Sequence, residues 1–177
     1  SGFSVIPSTP SLANVDAVLS QTGKEYRLKE ALTDLNSYDF VVMDTPPSLN
    51  IITINALTAS DYAVIPAQAD IFSLQGITQL GQTIEAVKRY TNKDLKVLGI
   101  VLTKHNTRSI LSRDLQQVIT DTAIQLHTKV YTQHIREAVA VREAQAMKQD
   151  VFSYDPKSNA TQDYDALMKE IWKDINQ

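Results

Sequence analysis

Tyr38-Asp39-Phe40-Val41-Val42-Met43-Asp44-Thr45-Pro46-Pro47-Ser48 carries a short apolar strand, Phe40–Met43, that runs into an aspartate and is stopped by two prolines. Proline lacks the N–H that a ladder needs and pushes the residue before it out of the helical region, so the element ends there. An acid at the carboxyl end of a buried parallel strand sits where open α/β sheets bind ligands. In that place Asp44 can hold Mg²⁺, or one of the ion's waters, beside a phosphate chain.

On the amino-terminal side, Phe3–Pro7 reads as a strand end. Ser11 reads as a cap for a helix carrying Leu12, Val15, Val18 and Leu19, which Gly23 breaks. Tyr26–Leu35 reads as a second helix, and Ser48 as the cap of a third that runs through Leu57. Asp61–Pro66 reads as a strand stopped by proline. Leu74, Ile77, Leu80, Ile84 and Val87 recur at helical spacing and predict a helix over Ser73–Tyr90. Leu95–Leu102 reads as a buried strand, Leu111–Leu126 as a helix, Lys129–Tyr131 as a short strand and Ala138–Met147 as a helix. Tyr164, Leu167, Met168, Ile171, Trp172 and Ile175 form the cleanest helical stripe, with Trp172 read as core. Strands alternating with helices predict an α/β fold, a mainly parallel sheet flanked by helices.

The bulk numbers agree with one folded domain over residues 1–177. Apolar content is 43%, charged content 21% and formal net charge −3. That balance excludes a protein basic over its whole surface but leaves room for a local basic patch. With no cysteine there are no disulfides, iron–sulfur clusters or thiolate zinc sites. No apolar run approaches the ~20 residues of a membrane span. His105, His127 and His134 lack metal-ligand spacing, and no Ser/His/Asp constellation is indicated. The Asp163/Asp165 pair reads as a solvated helix start.

The stretch 38–49 resembles the Walker B segment of the ParA/MinD family of ATPases, and within that family it is most similar to the ParA/Soj partition members. The resemblance continues through Thr53-Ile-Asn-Ala-Leu-Thr-Ala, Asp61-Tyr-Ala-Val-Ile-Pro-Ala-Gln, Gly99-Ile-Val-Leu-Thr and Tyr154-Asp-Pro-Lys-Ser-Asn, in the family's order and approximate spacing. It implies a deviant-Walker P-loop NTPase-like fold, with ATP and Mg²⁺ as cofactors. Asp44 would support the metal through water, and Thr45, Pro46 and Pro47 would shape the segment after it. Gln68 and Asp70 would lie toward the γ-phosphate. The Thr103–Lys104 loop and a loop at Ile135–Arg136 would lie on either side of the adenine.

A Walker A loop, G-x-x-x-x-G-K-[ST], is absent from these 177 residues. Such a loop is needed because its backbone N–H groups cradle the phosphates and its lysine neutralises them. The nearest match, Gly76-Ile-Thr-Gln-Leu-Gly81-Gln82-Thr83, has Gln where Lys is required and falls inside a periodic helix. Gly23-Lys24 follows no strand. The resemblance therefore implies that the P-loop and a second acidic motif lie upstream of Ser1, with this chain as the C-terminal two-thirds of a ParA-type protein. It also implies that the P-loop strand would stand between Phe40–Met43 and Tyr62–Ile65, so that these residues alone leave sheet edges unpaired.

Lys88, Arg89, Lys93, Lys96, Lys104, Arg108 and Arg113 crowd one stretch with Asp94 as the opposing acid, and Arg136, Arg142 and Lys148 follow. The resemblance implies DNA binding without sequence preference by an ATP-loaded homodimer, and phosphate contacts need only cationic reach. Arg108, Arg136 and Arg142 are the best candidates. The resemblance further implies a ParB-type partner and a cytoplasmic, nucleoid-associated location. A non-catalytic DNA- or partner-binding module is the alternative for a chain without the loop. A MinD-like membrane role is disfavoured, because the last helix sets Asp163, Asp165, Glu170 and Asp174 against Lys169 and Lys173.

Overall fold

A computed structural model describes residues 3–15, 21–35, 37–105 and 110–176. Within them the chain forms two compact units. One comprises residues 1–61 and 82–95, the other residues 62–81 and 96–177.

The second unit holds a parallel sheet of β1 (Tyr62–Ala67), β2 (Lys96–His105) and β3 (Ile135–Arg136), in the order β1-β2-β3. Ile65 lies opposite Ile100, Pro66 opposite Val101 and Thr103 opposite Ile135. Pro66 does not stop β1, which continues to Ala67; on a strand with one neighbour, its missing N–H can face away from the ladder. β2 runs to His105, three residues beyond the sequence expectation. The expected strand at Lys129–Tyr131 is a single bridge, Ile100 with Val130, and the expected loop at Ile135–Arg136 is β3. Gly99 makes this passage possible. A Cβ there would lie 2.6 Å from Cε2 of Tyr131 and 3.2 Å from the carbonyl oxygen of Lys129.

Helices follow the apolar stripes. In chain order they are α1 (Arg27–Leu32), α2 (Ile51–Ala59), α3 (Ile71–Tyr90), α4 (Ile110–Gln125), α5 (Val139–Ala146), α6 (Val151–Tyr154) and α7 (Asn159–Ile175). Gly76 and Gly81 lie inside α3, which settles the pseudo-Walker stretch as helix. α7 packs Leu167, with Tyr164 and Ile171 beside it, on Val101, Tyr131 and Ile135. The Tyr154–Asn159 block is the device that starts α7. Ser158 Oγ accepts the Thr161 N–H at 3.1 Å, and Thr161 Oγ1 donates to the Asp155 carbonyl at 2.7 Å. Trp172 is not core: it is 52% exposed, as is Met168.

In the first unit α2 is capped by Asn50, not Ser48, through N–H bonds from Ile52 and Thr53. Ser48 instead lends its carbonyl to the Thr53 hydroxyl at 2.7 Å. Asn55 on α2 takes the Leu28 N–H and donates to the Lys24 carbonyl, which seats α1 and the 3₁₀ turn Lys24–Tyr26 on α2. Asn92 donates to the carbonyls of Leu57 and Ser60, and Thr58 pairs with Thr91. The segments Phe3–Pro7 and Phe40–Met43 are not strands here. Phe40 is 54% and Val42 93% exposed. A strand-forming run becomes a strand only against a hydrogen-bonding neighbour, and none of the three described strands takes this one in. Of the expected helix around Leu12–Leu19, the described part is a 3₁₀ turn at Pro10–Asn14 followed by a helical Val15; Val18 and Leu19 lie outside the described residues.

Candidate nucleotide-binding site

Because the three strands are parallel, their carboxyl ends share one edge of the second unit. There Thr103 Oγ1 donates to the Ala67 carbonyl at 3.3 Å, which ties the ends of β1 and β2. Thr103 lies opposite Ile135, and His105 opposite Arg136. Lys104 between them adopts φ 48°, a left-handed conformation that strains any residue but glycine, and its side chain is exposed. The structure thus brings Thr103–Lys104 and Ile135–Arg136 together on adjacent strands. Asp70 has a local occupation. Its Oδ1 accepts the Ser73 N–H at 2.7 Å, capping α3, while Ser73 Oγ accepts the Gln68 N–H.

Asp44 and Thr45 are exposed, and Pro46 is half-buried beside the exposed Pro47, all in the first unit. Asp44 offers hard carboxylate oxygens at the end of the apolar run, which suits Mg²⁺ held through water. Among the described residues no group of three or more His, Asp or Glu could hold a metal ion unaided.

Three carboxylates of α7 grip the segment 129–136. Asp163 is only 3% exposed and accepts four hydrogen bonds: from Arg136 N at 3.1 Å, Nε at 2.7 Å and Nη2 at 2.8 Å, and from Gln133 Nε2 at 3.2 Å. Burial alone would raise its carboxyl, but the Arg136 and Gln133 bonds outweigh this and hold it below the usual range. Glu170 accepts the N–H groups of Thr132 and Gln133. Asp174 accepts Lys129 Nζ at 2.7 Å and the Tyr131 hydroxyl at 2.9 Å. Burial and then Asp174 push the Tyr131 phenol well above its ordinary value.

The Asp163 finding corrects the expectation of a solvated helix start. It also changes Arg136, whose guanidinium forks onto Asp163 and is not a free cation. Arg142 is exposed, with Glu137 at 3.7 Å. Arg108 lies outside the described residues. The spacing of Asp163, Glu170 and Asp174, seven and four residues apart, puts them on one helical face, a signal present in the sequence.

His105 and His134 meet edge to face with ring centroids 4.6 Å apart, and the Nδ1 of each is buried without a hydrogen-bond partner. Burial lowers both imidazoles below their usual value. His105 lowers His134 further, while Glu170 and Asp163 partly oppose. A group depressed in the fold binds its proton first in the unfolded chain. Stability therefore falls as pH drops below about 6.5, down to the depressed folded values. We expect the urea midpoint to be lower at pH 5.5 than at pH 7, and His105→Phe to flatten that difference. Equal midpoints at both pH values in the unaltered protein would show that the imidazoles charge without cost.

A family model described as an AAA domain matches residues 1–97. The chromosome partitioning protein ParA of Caulobacter vibrioides (strain NA1000 / CB15N) is 39% identical over 174 residues, 96% of this chain and 64% of that protein. The chain thus spans a little under two-thirds of that relative's length. Among solved structures, a cobyrinic acid a,c-diamide synthase from Mycobacterium smegmatis, with bound ATP analog and magnesium, is 38% identical over 65% of this chain and 47% of that one, with a TM-score of 0.61. Apo McdA from Cyanothece superposes with a TM-score of 0.81 over 94% of this chain and 67% of that one; at 20% identity it speaks for the fold alone. Among the described residues no helix is long and apolar enough to cross a membrane.

Proposed function

Since the chain belongs to the AAA-domain family and is of the ParA/Soj partition type, we propose that it forms the base-binding and DNA-binding part of an ATPase whose nucleotide state switches a homodimer on and off DNA. The observation that carries this is the register of Thr103 with Ile135. It sets Thr103–Lys104 and Ile135–Arg136 next to each other at the carboxyl edge of a parallel sheet, where this architecture receives ligands.

Thr103, Lys104, Ile135 and Arg136 would flank the adenine, with apolar and backbone groups suited to its faces and edges. Thr45 and Pro46 would shape the segment beside the phosphates. Asp44 would orient water on Mg²⁺, and that ion, when bound, neutralises charge on the triphosphate. The phosphate cradle itself would come from sequence other than these 177 residues. Asp70 serves as a helix cap through Oδ1, which leaves its second carboxylate oxygen for any contact on the phosphate side. A ParB-type partner, non-specific DNA and a nucleoid-associated cytoplasmic location complete the reading. The missing Walker A loop favours a second reading for this stretch by itself, a DNA- or partner-binding module without turnover.

The test is binding of the full-length protein to random-sequence duplex with ATP, ADP or no nucleotide. ATP-dependent binding is expected. Binding indifferent to nucleotide would overturn the switch.

A further inference from the structure

We propose that the acidic face of α7 is a clamp that sets the shape of the base-side segment 132–136, with Asp163 as its principal positioning residue. This rests on the reading that the segment faces the adenine.

β3 is two residues long, so its ladder supplies too few hydrogen bonds to fix the chain on either side. The N–H groups of Thr132, Gln133 and Arg136 are taken instead by Glu170 Oε2, Glu170 Oε1 and Asp163 Oδ2. Both acceptors stand on one face of a 17-residue helix whose own cap and core contacts hold it in place.

An ordinary surface ion pair would leave both partners in water. Here the guanidinium side chain of Arg136 is 51% exposed, yet the carboxylate is almost fully buried. Burying that charge is costly unless its lone pairs are used. Asp163 meets the condition by bonding the Arg136 backbone, the Arg136 fork and the Gln133 amide at once. Its bond to the Arg136 N–H therefore fixes the backbone just after Ile135, the residue opposite Thr103, and its bond to the Gln133 side chain ties in the residues before it. Both acids act through the segment they hold.

A base-side clamp and a general structural staple differ in which part of the ligand they affect. The full-length protein would be titrated with ATP and with inorganic tripolyphosphate, each with Mg²⁺. Asp163→Asn is expected to weaken ATP about tenfold, as removal of a charge-assisted hydrogen bond would, and to leave tripolyphosphate unchanged. Glu170→Gln, which leaves one acceptor oxygen for the two N–H groups, should shift ATP in the same direction by less. Equal weakening of both ligands would reduce the clamp to a staple and overturn the proposal. So would unaltered ATP affinity in Asp163→Asn. If that variant does not fold, Glu170→Gln decides, and absence of the ATP-to-tripolyphosphate split overturns the clamp. An unaltered protein that binds tripolyphosphate and ATP equally well would overturn the base-side reading itself, and the clamp with it, before any variant is made.

Discussion

A polypeptide limited to residues 1–177, supplied with ATP, Mg²⁺ and duplex DNA, is expected to release no phosphate above buffer. In the full-length protein, Asp44→Ala is expected to cut turnover by about a hundredfold or more, the scale of removing one preorganised electrostatic group. Phosphoryl transfer asks a protein for positioning and charge neutralisation more than for covalent chemistry. The P-loop backbone and lysine give the largest share, and no G-x-x-x-x-G-K-[ST] occurs in the 177 residues. The exposed Asp44 carboxylate can orient a metal-bound water only once a triphosphate is anchored opposite it. Steady-state phosphate release measures both halves. Turnover by the short polypeptide that vanishes in its own Asp44→Ala variant would show that a phosphate cradle exists within these residues after all.

The parts of the fold written in local pattern were legible. The stripes of α3 and α7 and the apolar runs of β1 and β2 each declare themselves within a dozen residues, and the structure moves their ends by a few positions. What failed depended on distant partners. Phe40–Met43 has a strand's composition, but a strand is a pairing, and no described strand pairs with it. β3 is two residues long, below any periodicity, and exists because β2 is already there to receive it. The α7 stripe contained more apolar residues than the helix buries, so Trp172 and Met168 reach solvent while Leu167 takes the core position. At the candidate site, Thr103 and Ile135 were named from resemblance, and their adjacency is a matter of sheet register. Asp163 was misread because its partners, Gln133 and Arg136, lie 30 and 27 residues upstream. An acid in the first turns of a helix looks solvated until the fold brings it a cation.

The ATP-loaded full-length protein is expected to bind random-sequence duplex with a salt dependence that flattens when Arg108, Arg136 and Arg142 are replaced by alanine together. Each phosphate contact releases condensed counterion, so the slope of log K against log salt should fall by about 0.9 for every phosphate that is no longer neutralised. The three arginines should not contribute equally. Arg142 is exposed, its 3.7 Å partner Glu137 is exposed too, and such a pair exchanges readily for a phosphate. Arg136 must keep its fork on the buried Asp163, so its guanidinium can offer a phosphate only an outward N–H. Arg136→Ala should therefore change the slope less than Arg142→Ala, while costing more stability, because it strands a buried carboxylate. Lys169 is engaged with Asp165 at 2.6 Å on an acidic helix, and its replacement should leave the slope unaltered. Dimerisation should amplify all of this, since two weak patches on one duplex act at high effective concentration. Binding is to be measured at several salt concentrations, with nucleotide loading and dimerisation checked for each variant. An unchanged affinity and slope in a triple mutant that still loads ATP and dimerises would place the DNA surface on other residues.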